Sequence, residues 1–209
     1  MKLEFLGTRG YIDAKSRRHR RHTATMVIHE DVSLLIDCGL DWEGQLPRLA
    51  PDAIAVTHAH PDHAHGLKAG TERPVYAPEV AWRDMAEYPI DDRRVVAPRE
   101  RIPIGPISLE AFPVVHSLRC PAVGYRIEAG GIAVFYVPDV VDIEQRREAL
   151  AGVRLYVGDG ATITRSLVRR RGDELFGHTT VRAQLGWCQE TGVKRAIFTH
   201  CGGGDRHRR

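Results

Sequence analysis

The segment THAHPDHAHG, residues 57–66, packs four histidines and one aspartate into ten residues of a 209-residue chain that has 11 histidines in all. Imidazole and carboxylate are good zinc ligands, and zinc takes at least three of them from the protein. Side chains two apart on an extended segment share a face, so His58 and His60 can point into one pocket. Pro61 then redirects the chain. Asp62 and His63 fall at the start of a short helix and aim at a neighbouring point. The spacing therefore predicts two adjacent metals. The bland alternative is a histidine-rich solvated loop, which would need no distant partners. His65 lies beyond the fitting spacing and reads as a helix-surface residue.

Distant partners do exist along the chain. Apolar stretches end repeatedly in a ligand-type residue: AIAVT before His58, FPVV before His116, AVFYVP before Asp139, LYVG before Asp159 and RAIFT before His200. Layered α/β proteins bind ligands beyond the carboxyl ends of their strands, so these residues can meet on one rim. We expect His58, His60 and His116 on one metal, and Asp62, His63 and His200 on the other, with Asp139 bridging both. Two divalent ions, two carboxylates and one hydroxide sum to about +1, which suits an anionic substrate. Asp37, in LLIDCG, and Asp159 read as groups that orient ligand rings from behind; an ordinary cap or turn carboxylate is the competing reading. Cys201 adjoins His200, but neighbours on an extended segment face opposite ways, so it is assigned no metal.

The elements that must position these residues are mostly short strands. KLEFLG, TATMVIHE, VSLLIDCG, DAIAVTH, ISLEAFPVVH, AVGYRIEA, GIAVFYVPD, VRLYVGD and KRAIFTH all fit strand patterns. Glu30-Asp31 and Gly130-Gly131 read as hairpin turns. Helices are expected over APEVAWRDMAEY, VDIEQRREAL and HTTVRAQLGWCQETG. The last places Val181, Leu185 and Cys188 on one face, with Thr179 as N-cap and Gly192 as the stop. This pattern predicts sheet layers covered by helices in one α/β domain over residues 1–209.

Composition narrows the class. Hydrophobic residues make up 43% and charged residues 27%, which is ordinary for a globular protein. No apolar run is long enough to span a bilayer, and MKLEFLGTRG does not read as a secretory signal. The four cysteines are scattered, without a C-x-x-C pair, which argues against a disulfide framework and for a reducing cytoplasm. Net charge is only +3, yet KSRRHRRH (15–22), RSLVRRR (165–171) and the tail DRHRR concentrate cations. Such runs can bind phosphates in a salt-dependent way; as solvated faces they would bind nothing.

With these residues in order (LIDCG, THAHPDH, His116, Asp139, His200), the chain resembles the metallo-β-lactamase superfamily over almost its whole length. The resemblance implies an αββα sandwich with a dinuclear metal site at the sheet edge. FLGTRG, HSLRCPAVGYRIE and FGHTT are similar to the ribonuclease Z and cyclic phosphodiesterase branch. APRERIPIGPISLE is short for the protruding arm of ribonuclease Z, and the chain ends nine residues after His200, where relatives usually continue with a helix and a strand.

The expected activity is metal-dependent hydrolysis of a phosphodiester by a metal-bridging hydroxide. Zinc is the default metal, and manganese or iron also accept these ligands. Asp62 and His178 are the candidate catalytic residues. His178 precedes a helix and can supply a proton near neutral pH, or it can merely cap that helix. Nucleic acid and a small phosphodiester stand as equal substrate candidates. A lactone or thioester hydrolase of the same fold, and a non-catalytic nucleic-acid-binding scaffold, are the alternatives. No membrane partner is expected, and a homodimer is left open.

Overall fold

The computed structural model describes residues 1–17 and 19–202; Arg18 and the basic tail lie outside the described residues. Six strands form the first sheet, in chain order: β1 (Lys2–Gly7), β2 (Ala24–His29), β3 (Val32–Ile36), β4 (Ala53–Ala55), β5 (Val75–Ala77) and β6 (Arg93–Val95). The β1–β2–β3 steps are antiparallel and the β3–β4–β5–β6 steps parallel. Glu30, at φ +52°, closes the expected β2–β3 turn.

The second sheet contains β7 (Arg101–Ile104), β8 (Ile107–Val115), β9 (Ala122–Ala129), β10 (Ile132–Tyr136), β11 (Asp142–Ile143) and β12 (Leu155–Asp159). A separate small hairpin, β13 (Arg169–Arg171) with β14 (Glu174–Phe176), precedes the last strand, β15 (Ala196–Thr199). The order across the second sheet is β11-β8-β9-β10-β12-β15, and β7 pairs with the first half of β8. Gly130 and Gly131, at φ +58° and +73°, make the predicted β9–β10 turn, since only residues tolerant of positive φ fit it.

Strand alternation sorts the side chains into three cores. Leu34 and Ile36 of β3 face the space between the sheets, where they meet Leu109, Tyr125, Ile127 and Tyr136. Leu35 faces the other way, against Trp42, Leu67, Trp82 and Met85. On β10, Val134 and Tyr136 point inward while Phe135 packs outward against Leu150, Tyr156 and Trp187. Each fully buried side chain of this kind contributes about 1.5–3 kcal/mol. The outer layers are α1 (Leu46–Leu49), α2 (Pro61–Ala64) and α3 (Glu79–Asp84) on the first sheet, with α4 (Arg146–Leu150) and α5 (Val181–Thr191) on the second. The layering is αββα, as the sequence led us to expect.

The helical expectations need three corrections. VDIEQRREAL is helical only in its second half, because Asp142 and Ile143 pair with Val115 and Val114 as β11. The N-cap of α5 is Thr180, not Thr179; its hydroxyl accepts from the Ala183 N–H at 3.0 Å. Leu185 is 48% exposed, and the buried face carries Gln184, Trp187 and Cys188 instead. The helix is rotated because Gln184 bonds inward, with Nε2 donating to the Asp159 carbonyl and Oε1 accepting from Tyr156 and the Asp159 N–H. Among the described residues no helix is long and apolar enough to cross a membrane.

Candidate metal centre

The rim of the two sheets gathers the expected residues. His58 lies just beyond β4, Asp139 just beyond β10, and His116 and His200 directly follow β8 and β15. His60 is the N-cap of α2 and Pro61 its first residue, so Asp62 and His63 occupy its first turn. The loop before it is locked from below. Asp37, at φ +62°, follows β3 and accepts bonds from the Thr57 N–H and hydroxyl at 2.8 and 3.0 Å. Gly39 lies so close to the Asp62 carbonyl that a Cβ there would sit 2.1 Å from it, so only glycine fits.

Three overlapping groups of ligand atoms result, and the third, Asp139, Asp159, His178 and His200, shares Asp139 with the first and His200 with the second. In the first, His58, His60, His116 and Asp139 each offer an atom within 4.8 Å of the others. Nε2 of His58 is 2.9 Å from Nδ1 of His60 and 3.3 Å from Oδ2 of Asp139, and Nε2 of His116 is 3.4 Å from Nδ1 of His60. In the second, Asp62, His63 and His200 meet the same limit. Asp62 Oδ2 lies 2.9 Å from Nε2 of His200 and 3.5 Å from Nε2 of His63. Asp139 joins the two, with Oδ2 2.9 Å from Nε2 of His63 and Oδ1 2.8 Å from Nδ1 of His200. Ligand atoms around a tetrahedral zinc at 2.0–2.1 Å lie ~3.3 Å apart, and these separations bracket that value.

The chemistry of the donor set also fits cations. His63 Nε2, Asp139 Oδ1 and His200 Nδ1 are buried and make no hydrogen bond, despite their short contacts. Buried polar atoms are normally satisfied; these converge without bonding one another. The outer ring nitrogens, by contrast, are fixed. His63 Nδ1 is 2.8 Å from Asp37 Oδ2, His58 Nδ1 is 3.0 Å from the Thr57 hydroxyl, and His116 Nδ1 donates to the Gly177 carbonyl at 3.0 Å. Such partners set the tautomer that frees the inner nitrogen.

Electrostatics divides the site. Burial drives the pKa of His58 well below the ordinary histidine value and that of His116 down to about 4. His60 is lowered too, again by burial. At His63, burial acts downward, but Asp62, Asp37 and Asp139 raise the pKa well above the ordinary value. Burial and Asp139 oppose each other likewise at His200, and the carboxylate prevails. Burial would raise Asp139, yet His200, His116 and His63 hold it well below the usual carboxylate range.

Beside the clusters, His178 Nδ1 is 2.8 Å from Asp159 Oδ2 and 3.4 Å from Asp139 Oδ1. Its ring stacks on His200 at 5.5 Å, and its pKa is raised because Asp159 and Asp139 outweigh burial. Asp159 also accepts from the Val140 and Ala161 N–H groups, so it anchors His178 rather than pointing freely into the site. His65 joins no cluster among the described residues and packs edge-on to Tyr88. Cys201 joins none either.

A cavity of about 430 Å³ opens over the clusters, walled by Tyr11, Ile12, Leu167 and His178. Tyr11 and Ile12 carried no signal in the sequence beyond lying in a long loop. That loop is braced by buried Arg9, whose guanidinium donates to the Ile12 carbonyl and to Asp41. Gly10 lies against the His200 ring so closely that a Cβ there would sit 2.9 Å from its Cε1.

Residues 33–201 match the family model described as a beta-lactamase superfamily domain, and the chain belongs to that superfamily. A ribonuclease Z from Methanopyrus kandleri is 29% identical over 178 residues, an alignment covering 74% of this chain and 61% of the relative. The chain thus spans less than two thirds of that relative's length. Among solved structures, the metallo-beta-lactamase fold protein YhfI from Bacillus subtilis superposes with a TM-score of 0.77 at 18% identity, covering 98% of this chain and 87% of that one. A diphosphatase of the PhnP family gives 0.74 at 22% identity, covering 96% and 85%. Human tRNase Z, short form, gives 0.71 at 19% identity, covering 97% and 93%. The fold is the metallo-β-lactamase fold.

Proposed function

We propose that this chain is a metal-dependent phosphodiesterase that holds two divalent ions, zinc by default. His58, His60 and His116 would hold one, Asp62, His63 and His200 the other, with Asp139 shared. The observation that carries this reading is the pair of ligand clusters joined through one carboxylate. When bound, such ions supply Lewis-acid activation of water and of a phosphoryl oxygen. The ribonuclease Z relative and the PhnP-family diphosphatase favour phosphorus over carbon as the centre attacked.

The protein's own groups do the rest. Asp62 orients the attacking side of the site through its contact with His200. His178, held by Asp159 and with its pKa raised by the neighbouring carboxylates, donates a proton to the departing oxygen. Tyr11, Ile12 and Leu167 wall the cavity and limit bulk water. Elemental analysis, combined with turnover of a simple phosphodiester, a lactone and a thioester, tests the proposal. Wild type should carry two metals and prefer the phosphodiester, and Asp139→Ala should lose both metal and turnover. Preference for the lactone or thioester would overturn the substrate class; a single retained metal would overturn the site.

A further inference from the structure

The loop after β1 has two sides. Gly10, Tyr11 and Ile12 line the cavity over the ligand clusters, while Thr8, Lys15, Ser16, Arg17, Arg20 and Arg21 line a second cleft. That cleft is about 1270 Å³ in volume, beyond the ~300–1,000 Å³ of most small-molecule sites. Phe5, Leu6 and Leu49 contribute apolar lining, and its polar groups are overwhelmingly cationic: Lys15, Arg17, Arg20, Arg21 and Arg48 against the single carboxylate of Asp41. Asp41 is already engaged by Arg9, buried at 3% exposure, and by the His22 backbone N–H at 2.9 Å, and Lys15 Nζ reaches it at 3.5 Å, which leaves the four arginines as the cationic surplus. The Arg21 guanidinium carbon lies over Trp42, 4.5 Å from the ring centroid, which holds the group at the cleft wall. Only one residue, Arg9, separates the Thr8 wall from the Gly10 wall, so the cleft and the cavity are neighbours across a single thickness of chain.

We propose that this cleft is a phosphate-binding exosite for a single-stranded nucleic acid whose scissile phosphodiester lies in the metal cavity. The inference rests on the phosphodiesterase reading and adds the substrate class. Three observations favour a strand over a free small anion. The cleft is far larger in volume than one phosphate group, its cations come from two separate segments, the loop after β1 and α1, and it adjoins a cavity already read as acting on phosphodiesters. Guanidinium groups recognise phosphate through paired N–H donors and stay charged at every relevant pH. A strand crossing from cavity to cleft passes Tyr11, which is 67% exposed and offers a face for a base. In the hairpin of β13 and β14, exposed Arg169, Arg170 and Arg171 follow Leu167 of the cavity wall closely in the chain.

The test uses a fluorescent single-stranded 12-nucleotide probe, a small chromogenic phosphodiester, and the double variant Arg20→Ala/Arg48→Ala. Both residues are exposed and away from the ligand clusters, so the variant should fold and retain its metals. Wild type should bind the probe in chelator with a steep salt dependence. The double variant should bind roughly tenfold more weakly, with a log–log salt slope shallower by about 1.4, the value for two lost phosphate contacts on a single strand. With metal restored, KM for the oligonucleotide should rise while kcat/KM for the small phosphodiester stays unchanged. Equal losses on both substrates, an unchanged salt slope, or binding to phosphatidylserine vesicles in preference to the probe would overturn the exosite. If the small phosphodiester is not turned over at all, the phosphodiesterase reading fails, and the chelator binding measurement still decides the cleft on its own.

Discussion

Asp37 Oδ2 and His63 Nδ1 lie 2.8 Å apart, and both side chains are completely buried. The contact fixes the ring so that Nε2 faces Asp62 and Asp139. It also ties the turn after β3 to the first turn of α2, two segments 26 residues apart.

Asp37→Asn keeps the shape of this support and removes its charge. We expect metal affinity at the His63 cluster to fall about 10–100-fold, while the His58, His60 and His116 cluster holds its ion. Competitive titration against a chelator should resolve one weakened and one unaffected site. Equal weakening of both, or of neither, would contradict the division of ligands.

His178 makes its hydrogen bond with Asp159, and its Nδ1 lies 3.4 Å from Asp139 Oδ1 within a group of possible ligands that includes His200. The proposed ligand sets are complete without it, so its replacement should spare metal binding. His178→Ala should retain both ions yet turn over more slowly, by ~10²-fold or more for an alkyl leaving group that needs a proton. A nitrophenyl leaving group departs without that help, so its loss should be much smaller. Equal losses for both leaving groups would assign His178 a positioning role, and loss of metal would make it a ligand.

The gathering of the candidate ligands was legible because they follow apolar strands, and strands announce themselves by β-branched and apolar runs. His58, His116, Asp139 and His200 could be placed on one rim for that reason. Short exposed strands were not legible. Arg93–Val95 and Arg169–Arg171 are exposed along their whole length, so they lack the burial alternation that reveals a strand. The role of Gln184 was hidden for a related reason. A polar residue on a helix reads as solvent-facing, and only the tertiary partners of its amide turn that face inward. Tyr11 and Ile12 lie in a loop whose course depends on the Arg9–Asp41 contact, a pairing across 32 residues that no local pattern encodes.

Gln184 joins α5 to the floor beneath His178. Its amide contacts the backbone of Asp159 on both the donor and the acceptor side, and the Tyr156 hydroxyl besides. Gln184→Ala would strand these groups in a fully buried position. We expect a stability loss of about 2–4 kcal/mol and a thermal midpoint lower by roughly 5–15 °C. Calorimetry on the metal-loaded protein checks the figure. A change under 1 °C would mean that water replaces the amide without penalty.

Acid stability of the metal-free protein follows from the buried rings. His116 has a folded pKa of about 4, because burial disfavours its charged form, against 6.5 in the unfolded chain. The unfolded state therefore binds the extra proton between these values. The contribution of His116 is complete above pH 6.5 and is lost as pH falls toward 4, by about 3 kcal/mol as an order of magnitude. His58 and His60 are lowered as well and act in the same direction. His63 and His200 titrate in the opposite sense, with folded pKa values raised. Their stabilisation is complete below pH 6.5 and is lost as pH rises through those values. The two groups thus occupy separate windows, and the metal-free protein should be most stable near pH 6.5. Urea unfolding in chelator at pH 7, 6, 5 and 4.5 should show wild type weakening on acidification. His116→Asn should weaken less over the same steps, because it has no imidazole to charge. Parallel curves for the two proteins would show that His116 is solvated in the metal-free state, and that burial does not set its charge.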